Sequence, residues 1–306
     1  MTDLAQCRIA ASPINWCNDD MVDLGDRYSF QDILRDMSSL GFTGTEMGRK
    51  YPRRARDLRP ALAQWGLVLS SAWKTVHLTQ SADALADVLS QYQDHVRFLR
   101  DMGCEYVVTA EGGGSVHWDV AGDAGRVSPF TAGQWEIFAR NLNVAGRMCK
   151  NHGLKLAYHA HYGTNVETEE DIDRLMAMTD PEHVTLLYDT GHIALGGGDP
   201  LGVLKRHLNR IEYVHLKDVR ESVATRVAAK ELGFLEAVRA GVFTVPGDGA
   251  IDFSPLFEVL ADSGYRGWFV IEAEQDPDRA QPIEYMKRAL DYLRPWLPTA
   301  RRGSGS

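Results

Sequence analysis

The chain has 306 residues, 44% hydrophobic and 25% charged, a composition that suits a folded protein with a large buried core and excludes disorder as its main state. Asp and Glu outnumber Lys and Arg by 42 to 33, and the resulting net charge of −9 opposes a phosphate backbone, so nucleic acid is not expected as a partner. No apolar run approaches the roughly 20 residues that cross a bilayer. The four cysteines (Cys7, Cys17, Cys104, Cys149) form no CxxC pair and no cleavable leader opens the chain, so a reduced, cytoplasmic protein without a membrane partner is expected.

Short β-branched or apolar runs alternate with longer stretches of helical period, the pattern of repeated βα units around a parallel sheet. Taken in chain order, a strand at Cys7–Ile14 precedes a helix at Phe30–Leu40, and a strand at Thr43–Met47 precedes a helix at Arg54–Trp65. A third strand at Leu67–Ala72 leads to a long helix at Ala82–Met102, a fourth at Tyr106–Ala110 to Ala132–His152, and a fifth at Lys155–His159 to Glu169–Met178. Strands at Thr185–Tyr188, Ile211–Leu216 and Trp268–Ile271 follow, with helices at Pro200–His207, Ser254–Ser263 and Ile283–Trp296.

Eight strands and eight helices predict an α/β fold, a single (β/α)8 TIM barrel over residues 1–300, with a flexible tail at 301–306. Glycines that follow helices in Leu40-Gly41-Phe42, His152-Gly153-Leu154 and Ser263-Gly264-Tyr265 are expected to take the left-handed cap geometry. The connection from about 217 to 252 is much longer than an ordinary βα loop, contains a helical stretch near Ala228–Ala240 and leaves through a Pro246-Gly247-Asp248-Gly249 turn. Long βα connections cover active sites in barrels, and this one is expected to do so.

In a barrel, polar residues at the C-terminal ends of strands converge on one mouth. Four successive strands deliver such residues: Tyr158-His159-Ala160-His161, Tyr188-Asp189-Thr190-Gly191-His192, Val214-His215-Leu216-Lys217-Asp218 and Ile271-Glu272-Ala273-Glu274. Mixed imidazole and carboxylate suit a divalent ion such as Mn, Co, Zn or Fe better than calcium, and the expected ligands are His159, Asp189, His215 and Glu272. A lone histidine at one strand end would be read as a packed core residue. Four at equivalent strand ends favour a metal centre. His161 and His192 fall beside these ligands and are expected to support them or to bind substrate, and Lys217, two beyond His215, points to the same side. Lys217 is either an acid or base or a structural partner of Asp218 or Glu212. On the other half of the barrel Asn15, Glu46, Lys74 and Glu111 are expected to bind hydroxyls; the Gly112-Gly113-Gly114 run behind Glu111 lacks the Lys-Ser/Thr of a phosphate loop.

The segments Ser12-Pro13-Ile14-Asn15-Trp16-Cys17-Asn18-Asp19-Asp20, Gly41-Phe42-Thr43-Gly44-Thr45-Glu46-Met47-Gly48, Asp189-Thr190-Gly191-His192 and Val214-His215-Leu216-Lys217-Asp218-Val219-Arg220 resemble the inosose dehydratase family, within the xylose-isomerase-like barrel superfamily. The resemblance covers nearly the whole chain. It implies dehydration of 2-keto-myo-inositol (scyllo-inosose) to a trihydroxycyclohexane-1,2-dione in inositol catabolism, with a manganese or cobalt ion and, in some members, glutathione. Asp189, His215 and Glu272 match the superfamily's ligand pattern, whereas related epimerases carry Glu where this chain has His159.

The implied elimination needs a base, for which Glu272 and Lys217 are the candidates, and an acid, for which His161 and Glu46 are the candidates. The alternative activity is a metal-dependent keto-sugar or cyclitol epimerase or isomerase of the same superfamily, which would return the proton to carbon. A homo-oligomer is expected by analogy with barrels of this group.

Overall fold

The computed structural model describes residues 4–113, 127–230 and 232–297; the predicted tail at 301–306, the last residues assigned to the barrel and Gly114 lie outside these. Nine strand segments form one all-parallel sheet: β1 (Arg8–Ala11), β2 (Gly44–Glu46), β3 (Val68–Ser71), β4 (Trp73–Val76), β5 (Tyr106–Glu111), β6 (Lys155–His159), β7 (Val184–Asp189), β8 (Ile211–Leu216) and, after the short β9 (Asp218–Val219) and β10 (Phe243–Thr244), β11 (Trp268–Ile271). Their order is β3-β2-β1-β11-β8-β7-β6-β5-β4. The edges β3 and β4 are one stretch of chain, interrupted at Ala72, and this stretch closes the sheet into a barrel. Ser71 spans the seam: its Oγ donates to the carbonyl of Tyr106 (3.0 Å) and accepts from the amide of Val108 (3.2 Å). The expected third strand therefore extends beyond Ala72, and Lys74 lies within it rather than after it.

The eight expected helices are present as α1 (Phe30–Ser39), α2 (Ala55–Ala63), α3 (Ala82–Met102), α4 (Ala132–Asn151), α5 (Glu169–Met178), α7 (Pro200–His207), α10 (Ser254–Asp262) and α11 (Pro282–Leu293). Capping boxes start three of them, with Ser29 and Asp32 opening α1, Thr131 and Gln134 opening α4, and Thr168 and Asp171 opening α5, so that amides left free in each first turn find acceptors. Gly41, Gly153 and Gly264 adopt the expected positive φ, at 84°, 78° and 73°. An unexpected short helix, α6 (Thr190–Leu195), follows β7 directly.

Strand alternation divides the apolar residues between two cores. Ala10, Tyr106, Val108, Ala157, Leu187, Tyr213, Trp268 and Val270 fill the barrel interior, where alanines opposite aromatic rings let the side chains interdigitate. A second, larger core lies between the strands and the helical ring and includes Ile33, Leu99, Phe138, Leu156, Leu175, Leu204 and Phe257.

The long connection after β8 holds two helices, α8 (Glu221–Lys230) and α9 (Phe234–Arg239), where one was expected, and the antiparallel pair β9–β10. It has its own apolar core, in which Val227, Phe234, Val238 and Phe243 pack with Met21 and Leu24 from the β1–α1 connection. Asp218 fastens it: its carboxylate accepts from the amides of Val219 (2.8 Å), Ile251 (2.9 Å), Gly249 (3.0 Å) and Gly247 (3.2 Å). Gly247, at φ 84°, makes the expected turn. No helix among the described residues is long and apolar enough to cross a membrane, and all four cysteines are buried thiols.

Candidate active site

The four proposed ligands leave the ends of β6, β7, β8 and β11 and meet. His159 Nε2 lies 3.4 Å from Asp189 Oδ2, His215 Nδ1 lies 3.3 Å from the same oxygen, and His215 Nδ1 lies 3.2 Å from Glu272 Oε2. All four side chains are buried. Asp189 uses Oδ1 to cap α6 through the amide of His192 (2.9 Å), which leaves Oδ2 facing the cluster.

Both ring nitrogens of His159, Nδ1 of His215 and Oδ2 of Asp189 are buried without a hydrogen-bond partner. Buried polar atoms are nearly always satisfied, because an unmet group forfeits its hydration at a cost of about 1–3 kcal/mol. Here the unmet atoms converge, and the donor atoms of His159, Asp189 and His215 lie within 4.8 Å of one another. A divalent ion would satisfy one ring nitrogen of His159 together with His215 Nδ1 and Asp189 Oδ2, so the donor set fits such an ion.

Glu46 explains how His215 presents Nδ1. The Oε1 of Glu46, on β2, lies 3.0 Å from His215 Nε2 and accepts from the Tyr213 hydroxyl at 3.0 Å. A carboxylate oxygen only accepts, so Nε2 carries the ring proton and the neutral ring keeps its lone pair on Nδ1. A carboxylate behind a metal-binding histidine fixes its tautomer and raises its basicity. Without an ion, burial pulls the His215 ring down, but Glu272, Glu46 and Asp189 outweigh it and hold the ring well above the ordinary histidine value. Burial is the main influence on His159, and it lowers that imidazole.

Lys217 is fully buried beside this cluster. Its Nζ donates to Glu272 Oε1 (2.8 Å) and Glu274 Oε1 (2.5 Å) and lies 2.9 Å from His192 Nε2 and 3.6 Å from Asp189 Oδ2. Burial opposes the charge on the ammonium, but Asp189, Glu272 and Glu274 prevail and raise it above the ordinary lysine value. Neither structural partner considered from sequence is used: Asp218 fastens the connection and Glu212 pairs with Lys155. The ring of His161 lies over that of His192 with centroids 3.7 Å apart, and Phe234 and Phe243 of the long connection pack on these rings at 4.8 and 5.0 Å. The connection therefore covers the site, as its length predicted.

A cavity opens onto these groups, lined by the polar Glu46, His159, His161, His215, Glu272 and Glu274 and by Ser12, Ile14, Asp19, Asp20, Met47, Trp73 and Val108. Three residues expected to bind hydroxyls do not line it, and neither does His192, whose Nδ1 accepts from the amide of Tyr162 (3.2 Å) and whose Nε2 faces Lys217 Nζ. Asn15 is consumed as a clamp between the ends of β1 and β11, donating to the carbonyls of Ser12 (2.7 Å) and Ile271 (2.9 Å) and accepting from the amide of Ala273 (2.7 Å). Glu111 accepts from the amides of Leu78 (2.8 Å) and Gly113 (2.9 Å), which occupies both of its oxygens. Lys74 alternates away from Trp73 toward α3, close enough to His95 to help lower that imidazole, though burial is the larger cause.

Sequence reasoning missed Glu274 and Trp73. Glu274 stands two beyond Glu272 as Lys217 stands two beyond His215, so strand periodicity carried the signal. Trp73 was missed because the third strand was ended at Ala72, whereas it resumes as Trp73–Val76; its ring forms a wall 5.4 Å from His159 and 5.5 Å from His161.

A closed parallel barrel with its polar cluster at the strand ends defines the class, and residues 34–296 match the family model for the xylose isomerase-like TIM barrel. The chain is 45% identical over 288 residues to an inosose dehydratase of Geobacillus thermodenitrificans, covering 94% of this chain and 96% of that one. It is 44% identical over 287 residues to the Clostridium tetani inosose dehydratase, with coverage of 94% and 96%. Among solved structures, a protein described as IOLI with a binding zinc atom superposes with a TM-score of 0.70 at 13% identity, covering 94% of this chain and 99% of that one, a likeness of fold. The chain belongs to the inosose dehydratase family of xylose isomerase-like barrels.

Proposed function

We propose that this protein is a hydro-lyase that dehydrates 2-keto-myo-inositol to a trihydroxycyclohexane-1,2-dione at a divalent metal held by His159, Asp189, His215 and Glu272. The observation that carries the metal centre is the convergence of buried, unpartnered donor atoms on His159, Asp189 and His215. The substrate follows from the similarity over 94% of the chain to inosose dehydratases.

When bound, the ion supplies Lewis-acid polarisation of the substrate ketone, which acidifies the neighbouring carbon-bound proton. Glu272 takes that proton; Lys217, held protonated by three carboxylates, cannot act as the base. His161, which lines the cavity, gives a proton to the hydroxyl leaving the next carbon, so that water departs and the remaining enol becomes the dione. Glu46 orients His215, its Oε1 accepting from the ring and from the Tyr213 hydroxyl. Trp73 and the rings of Phe234 and Phe243 exclude water around the polar cluster.

The family resemblance brings manganese or cobalt as the ion, glutathione as an additional requirement in some members, a cytoplasmic setting and a homo-oligomeric assembly, and all four belong to this proposal. The test is to incubate metal-loaded protein with 2-keto-myo-inositol while following dione absorbance and substrate loss. Dione that forms with metal and ceases on chelation supports the reading. Conversion to an isomeric ketone without new absorbance would assign an epimerase or isomerase instead.

A further inference from the structure

The surroundings of Lys217 Nζ are those of a metal ion. Two carboxylate oxygens, from Glu272 and Glu274, lie at 2.8 and 2.5 Å, an imidazole nitrogen of His192 lies at 2.9 Å, and a third carboxylate, from Asp189, lies at 3.6 Å. The donor atoms of Asp189, His192 and Glu272 lie within 4.8 Å of one another, and so do those of His161, His192 and Glu274. The first of these groupings shares Asp189 with the His159, Asp189 and His215 cluster, and the second shares His192 with the first. Three negative side chains around one position would by themselves draw a second cation.

The fold instead builds a cation in. The lysine stem runs across Gly191, where an added Cβ would stand 2.5 Å from Lys217 Cγ and 2.8 Å from Cδ, so the helix after β7 leaves the side chain its path. The Phe243 ring covers the ammonium at 4.7 Å from Nζ to centroid. Thr190 fixes the backbone, donating to the Lys217 carbonyl (2.6 Å) and accepting from its amide (3.1 Å).

We propose that Lys217 occupies the second of two adjacent cation seats, as a permanent substitute for a second divalent ion, and thereby keeps the centre mononuclear. This rests on the metal reading given above. A lysine supplies one positive charge that neither dissociates nor ligates substrate, so it balances Glu272 and Glu274 without adding a second Lewis acid beside the ring.

The test counts ions. Wild-type protein and the variants Lys217→Ala and Lys217→Ser, each stripped of metal, are dialysed against manganese alone; bound metal per chain is measured by elemental analysis and the electron paramagnetic resonance spectrum is recorded, with near-ultraviolet circular dichroism verifying the fold. One ion per wild-type chain and two per variant chain are expected, with a spin-coupled pair signal in the variants only. A folded variant of either kind that still takes a single ion overturns the proposal, as does a wild-type chain that takes two. A wild-type chain that takes none overturns the metal reading beneath it.

Discussion

Glu46 Oε1 and His215 Nε2 lie 3.0 Å apart, although the residues are 169 positions apart in the chain and two strands, β1 and β11, separate theirs in the sheet. The contact crosses the barrel interior and directs Nδ1 of His215 at Asp189 and Glu272. Glu46→Gln removes the anion that holds the ring proton on Nε2. Manganese affinity, measured by competition with a chelator, should fall about 10- to 100-fold, the usual effect of losing a carboxylate behind a ligating histidine. Unchanged affinity would detach Glu46 from the centre.

Asp189→Asn gives a narrower test of the ligand set, because the amide oxygen can still cap α6 through the His192 amide while the second oxygen becomes a nitrogen donor. Wild-type protein should gain about 2.7 kcal/mol of stability when free manganese is 100 times its Kd, from binding to the native state alone. Thermal melts with and without manganese should show this gain in the wild type and lose most of it in the variant. Equal gains would remove Asp189 from the ligand set.

Gly191→Ala places a methyl group 2.5 Å from Lys217 Cγ and forces either the lysine or α6 to shift. Overpacking of this kind costs about 1–3 kcal/mol. Urea denaturation should show a loss in that range, and turnover should fall with it because Lys217 no longer meets Glu272 and Glu274 in the same geometry. A fully stable and active variant would show that the close approach is not required.

Glu111 couples stability to pH. Burial pushes its carboxyl up to about 7, against the two amide hydrogen bonds that favour ionisation. The folded state then binds the proton more tightly than the unfolded chain, so the contribution of Glu111 is present at acid pH. It is lost as pH rises from the ordinary glutamate value, near 4.5, through about 7. Subtracting the urea stability of Glu111→Gln from that of the wild type isolates this residue. The difference should decline from pH 4.5 to 7 and level off above, whereas a flat difference would contradict the shift.

Much of the molecule was legible in the sequence because it depends on local periodicity. Apolar runs of period two, alternating with helical stretches, predicted the barrel, and the rule that strand ends share one mouth brought His159, Asp189, His215 and Glu272 to one place before any contact was known. The length of the 217–252 connection likewise predicted a cover.

What only the tertiary structure decided was which partner each side chain finds. Alternation sets the face on which a residue lies and says nothing about what stands opposite, since that depends on sheet order and register. Asn15 and Glu111 appeared to be substrate groups until the fold brought backbone amides and carbonyls within their reach, and a buried amide or carboxylate takes such partners before any ligand can. Lys217 could have faced Asp218 or Glu212 on its own strand or connection. The adjacency of β8 and β11 gave it Glu272 and Glu274 instead, 55 and 57 residues away, and ringed by carboxylates it is held as a cation.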